Sequence, residues 1–457
     1  MLTGPTDIGV PGPSTLDMGR AFRSVRRDPL TFLTAMTERY GDTVAFPVPG
    51  PPALFLGDPD DIKHVLQTSA RNWSKRTVQY AALARVTGPG LLASAEPTWI
   101  DHRRLAAPAF HHQRLDAVSA QVAAAARDVL ADALGGLPGG GAVLDVSPVM
   151  HRIGLDAVGR ALFSSDLSTQ AEGLLQSTGA AAGLVVRLGR SVLPLARLAP
   201  TPTNLRLRQV SRRLDRSVNE VLAERRRSLT RDGEAKDGGS DLLTLLIESG
   251  MDEPQIRDEL VTMVLAGHET VAAALSWTLM LLAEHDDVQD RVRDELATLG
   301  RPPSMTTPRS DLAFTRAVLD ESLRLFPPAW AISRRSTAPD VIAGREVPVG
   351  TLAIISPWVT HRREHIWPDP LAFRPERFIS GRTTIPGYLP FGQGPRLCIG
   401  REFALGEMVL VIDELLTNHR LSLPPGWSRP QPDTQVAVHP AGGMPLRITP
   451  LSGDPYG

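Results

Sequence analysis

Residues 390–400 read Pro-Phe-Gly-Gln-Gly-Pro-Arg-Leu-Cys-Ile-Gly, and this stretch decides how the rest of the chain is interpreted. Its glycines, Gly392, Gly394 and Gly400, allow tight turns and a close approach of the backbone to a flat partner. Backbone N–H groups beside a sulfur atom can donate hydrogen bonds that tune a thiolate. The residues after Cys398 have helical character without proline, so we expect the cysteine just before a helix N-terminus.

Cys398 is the one cysteine among 457 residues, which excludes a disulfide within the chain. On composition alone, such a residue is either a small buried hydrophobe or a reactive or metal-ligating thiolate. The partial positive charge of a helix N-terminus favours the thiolate over the thiol. The neighbourhood of Cys398 therefore favours a metal ligand, with a structural cysteine on a glycine-rich turn as the alternative.

The ten residues from Phe391 to Gly400 match the pattern Phe-x-x-Gly-x-Arg-x-Cys-x-Gly at every fixed position. Here the sequence resembles the haem-binding decapeptide of the cytochrome P450 superfamily, in its soluble bacterial type. The resemblance implies that Cys398 is the axial thiolate ligand of the iron of haem b, and that Gly400 belongs to the cofactor-binding loop. It also implies that Phe391 packs on the ligand side and that Arg396 pairs with a haem propionate. A thiolate ligand pushes electron density onto iron and favours O–O cleavage.

A second family feature is the Glu-Ser-Leu-Arg sequence at residues 321–324. Glu321 and Arg324 lie three residues apart and share one face of a helix. Such ion pairs are usually exposed to solvent and contribute little to stability. This helix is apolar, however, and stops at Phe326-Pro327-Pro328. The resemblance implies that Glu321, Arg324 and Arg377 form a buried triad that braces the cysteine loop.

The longest apolar helical run spans residues 254–285 and contains Ala-Gly-His-Glu-Thr at 266–270. A glycine inside a helix costs up to about 1 kcal/mol relative to alanine. From the residues alone, Glu269 would face a polar gap, Thr270 would hydrogen-bond the preceding turn, and Gly267 would relieve crowding.

The family resemblance implies a different role for this pentapeptide, which matches the superfamily's acid–alcohol signature. Ala266 and Gly267 would let the macrocycle and dioxygen approach the backbone. Thr270 would hydrogen-bond the reacting dioxygen, and Glu269, with water, would relay protons to it. His268 falls on the variable position of the signature and is expected to be non-catalytic.

Several cations are expected at the edge of the haem, because it carries two carboxylates. Trp99 and Arg103 reproduce the family's Trp-x-x-x-Arg helix pair, and the alternative is an aromatic core residue beside a surface arginine. Arg334, ten residues beyond Arg324, occupies a position that often meets a propionate. Arg335 is the competing choice.

The substrate pocket can be placed only by resemblance, and each position has core packing as its alternative. The predicted lining residues are largely apolar, which indicates a hydrophobic or amphipathic substrate. They are Val264 on the long helix, Ala329, Trp330, Ala331 and Ile332 after the Glu-x-x-Arg helix, and Val436 and Ala437 near the C-terminus. The loop 76–96 and the segment 175–203 would form a lid.

The expected fold class is mainly α with small β-sheets, in a single domain over residues 1–457. The resemblance implies a triangular helical body with haem buried between the long helix and the cysteine loop. The β-rich part is expected at about 40–58 and 335–450, and the helical part at about 99–330 and 398–418. Hairpins are predicted at 43–57 and at 434–448.

Composition sets the remaining expectations. The net charge of −1 gives no indication of nucleic-acid binding. The N-terminus lacks a basic region followed by an apolar one, and no run of 18 uncharged apolar residues occurs, which predicts a cytoplasmic protein without a membrane span. A monomer is expected.

The resemblance implies a monooxygenase that inserts one atom of dioxygen into a hydrophobic small molecule. Electrons would come from NAD(P)H through a separate ferredoxin and ferredoxin reductase, and the role would be secondary-metabolite tailoring. One alternative is a peroxide-driven haem-thiolate enzyme, whose known examples typically lack the acid–alcohol pair. Another is a non-catalytic haem-binding or sensing protein, which would need neither that pair nor an apolar pocket.

Overall fold

The computed structural model of the protein describes residues 8–136, 138, 141–163, 201–232, 241–379 and 385–451. Helices dominate these residues, as the sequence predicts. The α-helices, labelled α1 to α14 in chain order, are Thr15–Arg27, Pro29–Tyr40, Pro59–Lys63, Val78–Thr87, Thr98–Ala106, His112–Leu134, Val146–Phe163, Pro202–Asp232, Leu242–Glu248, Glu253–Glu284, Asp286–Thr298, Ala313–Leu325, Pro357–Thr360 and Arg401–Leu416.

Short strands complete the described secondary structure. Labelled β1 to β12, they are Thr43–Phe46, Ala53–Leu56, Trp73–Ser74, Ala142–Asp145, Ile332–Ser336, Asp340–Ile342, Arg345–Val347, Leu352–Ile355, His419–Ser422, Pro432–Thr434, Val438–Pro440 and Pro445–Pro450. A five-stranded sheet has the order β1-β2-β8-β5-β3 and joins the first hairpin to strands from the C-terminal third. This mixture confirms the predicted class of helices with small sheets.

The predicted N-terminal hairpin is present, with Thr43 opposite Leu56 and Phe46 opposite Ala53 in antiparallel register. The predicted C-terminal hairpin over 434–448 is wrong in extent. The hairpin consists of β10 and β11 alone, whereas β12 pairs with β4 on one side and β9 on the other. The reason is a break at Gly442 and Gly443, which both have positive φ and turn the chain toward a different sheet.

Two further elements lie outside the predicted pattern. Strand β4 interrupts the region expected to be helical, because Val143 and Leu144 pair with Arg447 and Leu446 of β12, some 300 residues away. Helix α1 follows the proline-rich entry and begins with a capping box, in which Ser14 and Asp17 satisfy each other's backbone N–H groups.

Helix α10 is the central element of the helical body. It begins with a capping box, since the Gln255 N–H donates to Asp252 at 2.8 Å and the Asp252 N–H donates to the Gln255 side chain. Its length and hydropathy also satisfy a membrane-span criterion, but 83% of its most apolar window is buried inside the protein. That burial is typical of a core helix.

The middle of α10 is tied to the C-terminal hairpin. The Trp277 indole stacks on Phe326 with ring centroids 4.1 Å apart, and its Nε1–H donates to the Val438 carbonyl at 2.8 Å. The Val438 N–H donates in turn to the Pro328 carbonyl at 3.1 Å. These contacts fix β11 against the long helix.

Candidate functional site

The cysteine loop closes on itself through its backbone. The Cys398 N–H donates to the Phe391 carbonyl at 3.0 Å. Gly392 and Gly394 have φ of +73° and +71°, in the left-handed region that other residues seldom adopt. A Cβ on Gly394 would also lie 2.1 Å from the Leu66 carbonyl oxygen, so glycine is required there. The loop conformation therefore follows directly from its glycine pattern.

The Cys398 side chain is exposed and lies just before α14, as predicted. Desolvation by the surrounding protein raises the pKa of its thiol, while the Gly400 N–H and the charges of Arg103 and Lys75 lower it by less. The expectation that the helix terminus alone favours the thiolate is thus outweighed by desolvation. A metal ion bonded to the sulfur would reverse this balance, because it deprotonates a coordinating thiol.

The Glu-x-x-Arg pair is completely buried on α12. Arg324 donates to both carboxylate oxygens of Glu321, from Nε at 2.7 Å and from Nη2 at 2.8 Å. Arg377 Nε lies 3.3 Å from the same carboxylate, and the Arg374 N–H donates to it at 2.9 Å. The structure therefore brings together the three residues of the predicted triad.

His361, which the sequence reasoning did not identify, connects this pair to the cysteine loop. Its Nδ1–H donates to the Arg324 carbonyl at 3.0 Å, and its Nε2 accepts from the Leu389 N–H at 2.8 Å. These two bonds require the neutral ring. Burial lowers the pKa of His361 to about 3, in agreement with that requirement. Leu389 begins the chain segment that carries Phe391 and Cys398.

On the long helix α10, the predicted pentapeptide at residues 266–270 contains the positions that are partly accessible to solvent. Between Glu259 and Ala283, the residues that are not fully buried are Ala266, Gly267 and Thr270. Val264 and Leu265 pack in one apolar cluster with Trp99 and with Ile399, the neighbour of Cys398. The open positions of α10 and the cysteine loop thus border the same apolar cluster.

Thr270 and Gly267 have local partners of their own. The Thr270 hydroxyl donates to the Ala266 carbonyl at 2.7 Å, which leaves its oxygen lone pairs free to accept. A Cβ on Gly267 would lie 2.8 Å from Val158 Cγ2 on α7. Gly267 therefore permits close packing of two helices, and its predicted role toward a macrocycle stays a prediction.

Glu269 is held by histidines. His439 Nε2 lies 3.0 Å from its Oε2, and His268 Nε2 lies 3.4 Å from its Oε1. Burial alone would raise the pKa of Glu269, but its hydrogen bonds with His268 and His439 lower the pKa well below the usual range. His268, expected to be non-catalytic, therefore contacts the acid, and His439 went unrecognised because it is 170 residues away.

Four cationic side chains converge near Trp99. Arg396 lies over the Trp99 ring with its guanidinium carbon 3.8 Å from the centroid. Arg103 donates to the Leu397 carbonyl at 2.9 Å, and Arg334 is buried with Nη1 3.4 Å from the Tyr80 hydroxyl. The fourth is Lys75, which sequence reasoning missed and which donates to the Leu92 carbonyl at 3.0 Å. Burial and the charges of Arg334 and Arg396 lower the pKa of Lys75 strongly.

The alternation of strand β5 separates the two candidate arginines. Arg334 points toward the cation cluster, whereas Arg335 donates to the Gly350 carbonyl at 3.0 Å on the sheet. Among the described residues, the carboxylate within ion-pair range of the four cations is Glu96, 4.0 Å from Arg396. Buried cations are costly without anionic partners.

The donor set fits an iron porphyrin. The four cations require more negative charge than Glu96 provides, and a haem offers two propionates. Cys398 provides an exposed sulfur ligand on its glycine loop, and α10 is partly accessible at Ala266, Gly267 and Thr270. Cys398 would hold the iron, and Arg103, Arg334, Arg396 and Lys75 would hold the propionates.

The predicted pocket residues differ in burial. Val264 and Ala437 are fully buried, Ile332 is nearly so, and Ala329 is exposed. The half-buried members are Trp330, Ala331 and Val436. Of the predicted lid, residues 76–96 include α4, and the second segment lies outside the described residues except for 201–203. The assignment of these residues to a substrate pocket stays a prediction.

Comparisons with known proteins agree with this geometry. The family model described as Cytochrome P450 matches residues 11–446. The chain is 32% identical over 425 residues to cyclooctat-9-en-7-ol 5-monooxygenase of Streptomyces melanosporofaciens, covering 88% of this chain and 86% of the relative. It is 31% identical over 443 residues to pentalenene oxygenase of Streptomyces avermitilis, covering 94% and 95%. The crystal structure of CYP175A1 from Thermus thermophilus superposes with a TM-score of 0.77 at 29% identity, covering 96% and 100%.

Proposed function

Because the chain belongs to the cytochrome P450 family of haem monooxygenases, we propose that it oxygenates a hydrophobic small molecule by hydroxylation or epoxidation. The observation that carries the proposal is the combination of Cys398 on its glycine loop with the pair of buried Glu269 and partly accessible Thr270 on α10. On this proposal, residues 1–457 form one catalytic domain.

When bound, haem iron supplies the chemistry that activates dioxygen and transfers one of its atoms to the substrate. The chain's own residues then have separate tasks. Cys398 would hold the iron and donate charge to it, and the Glu321–Arg324 pair with His361 would keep the loop rigid. The lone pairs of Thr270 would accept a hydrogen bond at the dioxygen site, and Glu269 would pass protons to that site.

The presence of the acid–alcohol pair favours the dioxygen-dependent reaction over the two alternatives. Hydrogen peroxide already carries the two protons and two electrons of the reaction, so a peroxide-driven enzyme has no need of a carboxylate that relays protons from solvent. A non-catalytic haem protein has no need of one either. Glu269 is a buried acid beside two histidines. Burial of a charged group is costly for stability, which supports a functional role for this acid.

The proposed substrate class is supported by the apolar character of the predicted pocket residues and by the names of the relatives. The two Streptomyces relatives are named for the oxygenation of cyclooctat-9-en-7-ol and of pentalenene. A mouse relative, 31% identical, is named leukotriene-B4 omega-hydroxylase 3. We propose a substrate of the first kind, a mainly hydrocarbon molecule in secondary metabolism, because the predicted lining residues carry no charged side chain.

The proposed partners are a ferredoxin and its NAD(P)H-dependent reductase, in the cytoplasm, with the protein as a monomer. The test supplies the haem-loaded protein with a ferredoxin, a ferredoxin reductase, NAD(P)H and a panel of cyclic alkenes and long-chain acids under ¹⁸O₂. We expect a product that contains one ¹⁸O atom from a cyclic alkene. Products from hydrogen peroxide alone, with none from NAD(P)H and any ferredoxin, would contradict the proposal in favour of the peroxide-driven alternative.

A further inference from the structure

A cluster of three histidines surrounds Glu269. The cluster consists of His151 on α7, His268 on α10 and His439 on β11. A ring nitrogen of His151, a ring nitrogen of His439 and a Glu269 oxygen all lie within 4.8 Å of one another. The rings of His151 and His439 stack with centroids 5.1 Å apart, and His151 meets His268 edge-on at 6.2 Å. The acid of the long helix is therefore in contact with groups that carry protons.

His268 forms the inner end of this cluster. Its Nδ1 lies 2.7 Å from the Val264 carbonyl oxygen, which can only accept, so this nitrogen carries a proton. Its Nε2 can donate to Glu269 only when the ring holds a second proton. The contact of 3.4 Å thus provides a place for a proton to be shared beside the carboxylate.

The packing of α7 on α10 holds the cluster together. A Cβ on Gly154 would lie 3.2 Å from the His268 carbonyl oxygen, so this glycine lets α7 approach the long helix closely. Gly154 is one helical turn beyond His151. On the other side, the Trp277 and Pro328 contacts of Val438 fix the neighbouring His439. The three histidines therefore face Glu269 from elements that cannot move independently.

Exposure increases outward through the cluster. The side chain of His268 is 1% exposed, that of Glu269 9% and that of His439 12%, and His151 is half-buried. Burial lowers the pKa of His151 to about 4, so its ring is neutral at neutral pH and has one N–H donor and one acceptor nitrogen. A separation of up to 4.8 Å from Glu269 and His439 is one that a single water molecule can bridge.

We infer that His439 and His151 form the route by which protons reach Glu269 from solvent, entering between α7 and β11. The inference rests on the proposed function and deepens it. In its doubly protonated form, His439 loses the Nε2 proton as an O–H bond forms at Glu269 Oε2, which leaves a neutral ring. The neutral ring then regains its second proton from solvent by way of His151. Two such transfers accompany two electrons from the ferredoxin in each turnover, so that dioxygen yields one product oxygen and one water.

The experiment compares His439→Gln, His439→Leu and His151→Gln in the haem-loaded protein. Glutamine can still donate a hydrogen bond to Glu269 but cannot pass a proton, whereas leucine does neither. We expect the ratio of NAD(P)H-driven to peroxide-driven product to fall about tenfold in all three variants, with a larger solvent isotope effect. Hydrogen peroxide brings its own protons and electrons, which makes it the internal reference. The exposed His112, changed to Gln, is the matched control.

Substrate binding and thermal unfolding of each variant separate proton supply from folding. We expect the substrate dissociation constant, measured from the substrate-induced change in the haem spectrum, to be the same in His439→Gln as in the wild type. Full activity of His439→Gln beside a defective His439→Leu would overturn the route and leave His439 with a positioning role. An impaired Glu269→Gln beside unaffected His439 and His151 variants would also overturn it, without affecting the proposed function. A wild type that forms no product under any condition would instead contradict the proposed function.

Discussion

The two regions that border the proposed haem site are built in opposite ways. On the cysteine side, the buried polar groups of Glu321, Arg324, His361 and Leu389 form one chain in which each has a fixed partner. On the long-helix side, Glu269 lies among three histidines whose protons can be exchanged. The difference indicates that the loop that holds a ligand has to be rigid. The acid on the long helix, in contrast, needs neighbouring groups that can exchange protons with it. The cysteine side can therefore be tested for its contribution to stability, and the long-helix side for its response to pH.

The largest stability effect is expected from Arg324→Leu, because it leaves the Glu321 carboxylate buried without its main partner. We expect the free energy of unfolding to fall by about 3–5 kcal/mol in chemical denaturation. Thr270→Ala, the matched change on the long-helix side, should cost about 1 kcal/mol or less, since only a bond within the helix is lost. Equal losses in the free energy of unfolding for Arg324→Leu and Thr270→Ala would contradict the difference between the two regions.

Removal of His361 should cost about 2–4 kcal/mol, because His361→Ala leaves the Arg324 carbonyl and the Leu389 N–H unpaired. His365→Ala is the control, since that side chain is 53% exposed and its pair with Asp42 is weak. Denaturation of both variants at pH 7 measures the difference. Equal stability of the two variants would show that His361 is not part of the brace.

The long-helix side should respond to pH through His151. Its pKa is lowered from 6.5 to about 4 in the folded protein, so the unfolded chain binds more protons between these values. The contribution of His151 therefore makes stability decrease as pH falls from about 6.5 to about 4, by up to about 3 kcal/mol. His151→Gln should reduce this loss of stability at low pH, whereas the loss caused by protonation of His361 should remain. If the free energy of unfolding changed with pH in the same way in the wild type and in His151→Gln, the burial described for this ring would be contradicted.

The smallest effect concerns the cations near Trp99. Lys75→Met removes a buried charge that is repelled by Arg334 and Arg396, so the haem-free protein should gain about 1 kcal/mol. Haem affinity should decrease at the same time, because one proposed propionate partner is lost. Lys63→Met at the exposed end of α3 serves as the control. A haem affinity unchanged by Lys75→Met would remove Lys75 from the proposed propionate site.

Local sequence predicted the parts of the site that are contiguous in the chain. The glycines around Cys398 impose their conformation through positive φ and a close contact with Leu66, and both properties belong to the residue type. The spacing of Glu321 and Arg324 likewise fixes their contact within one helix. The class of fold followed from the long helical run and the short strands.

Contacts between distant segments could not be predicted from one sequence. His439 and His151 meet Glu269 only because α7 and β11 pack on the same helix, and His361 meets Leu389 across a loop. Strand β4 has four residues, too few for a clear pattern, and it forms because β12 offers an edge. Lys75 carries no motif, and its place among the arginines depends on the turn that follows β3.

The bond between the Cys398 sulfur and iron is the central claim, and the carbon monoxide spectrum of the reduced, haem-loaded protein tests it most directly. We expect the wild type to show the spectrum of thiolate-ligated haem and Cys398→His to show that of histidine-ligated haem. A wild-type spectrum of the histidine-ligated kind, or one that Cys398→His leaves unchanged, would contradict the account.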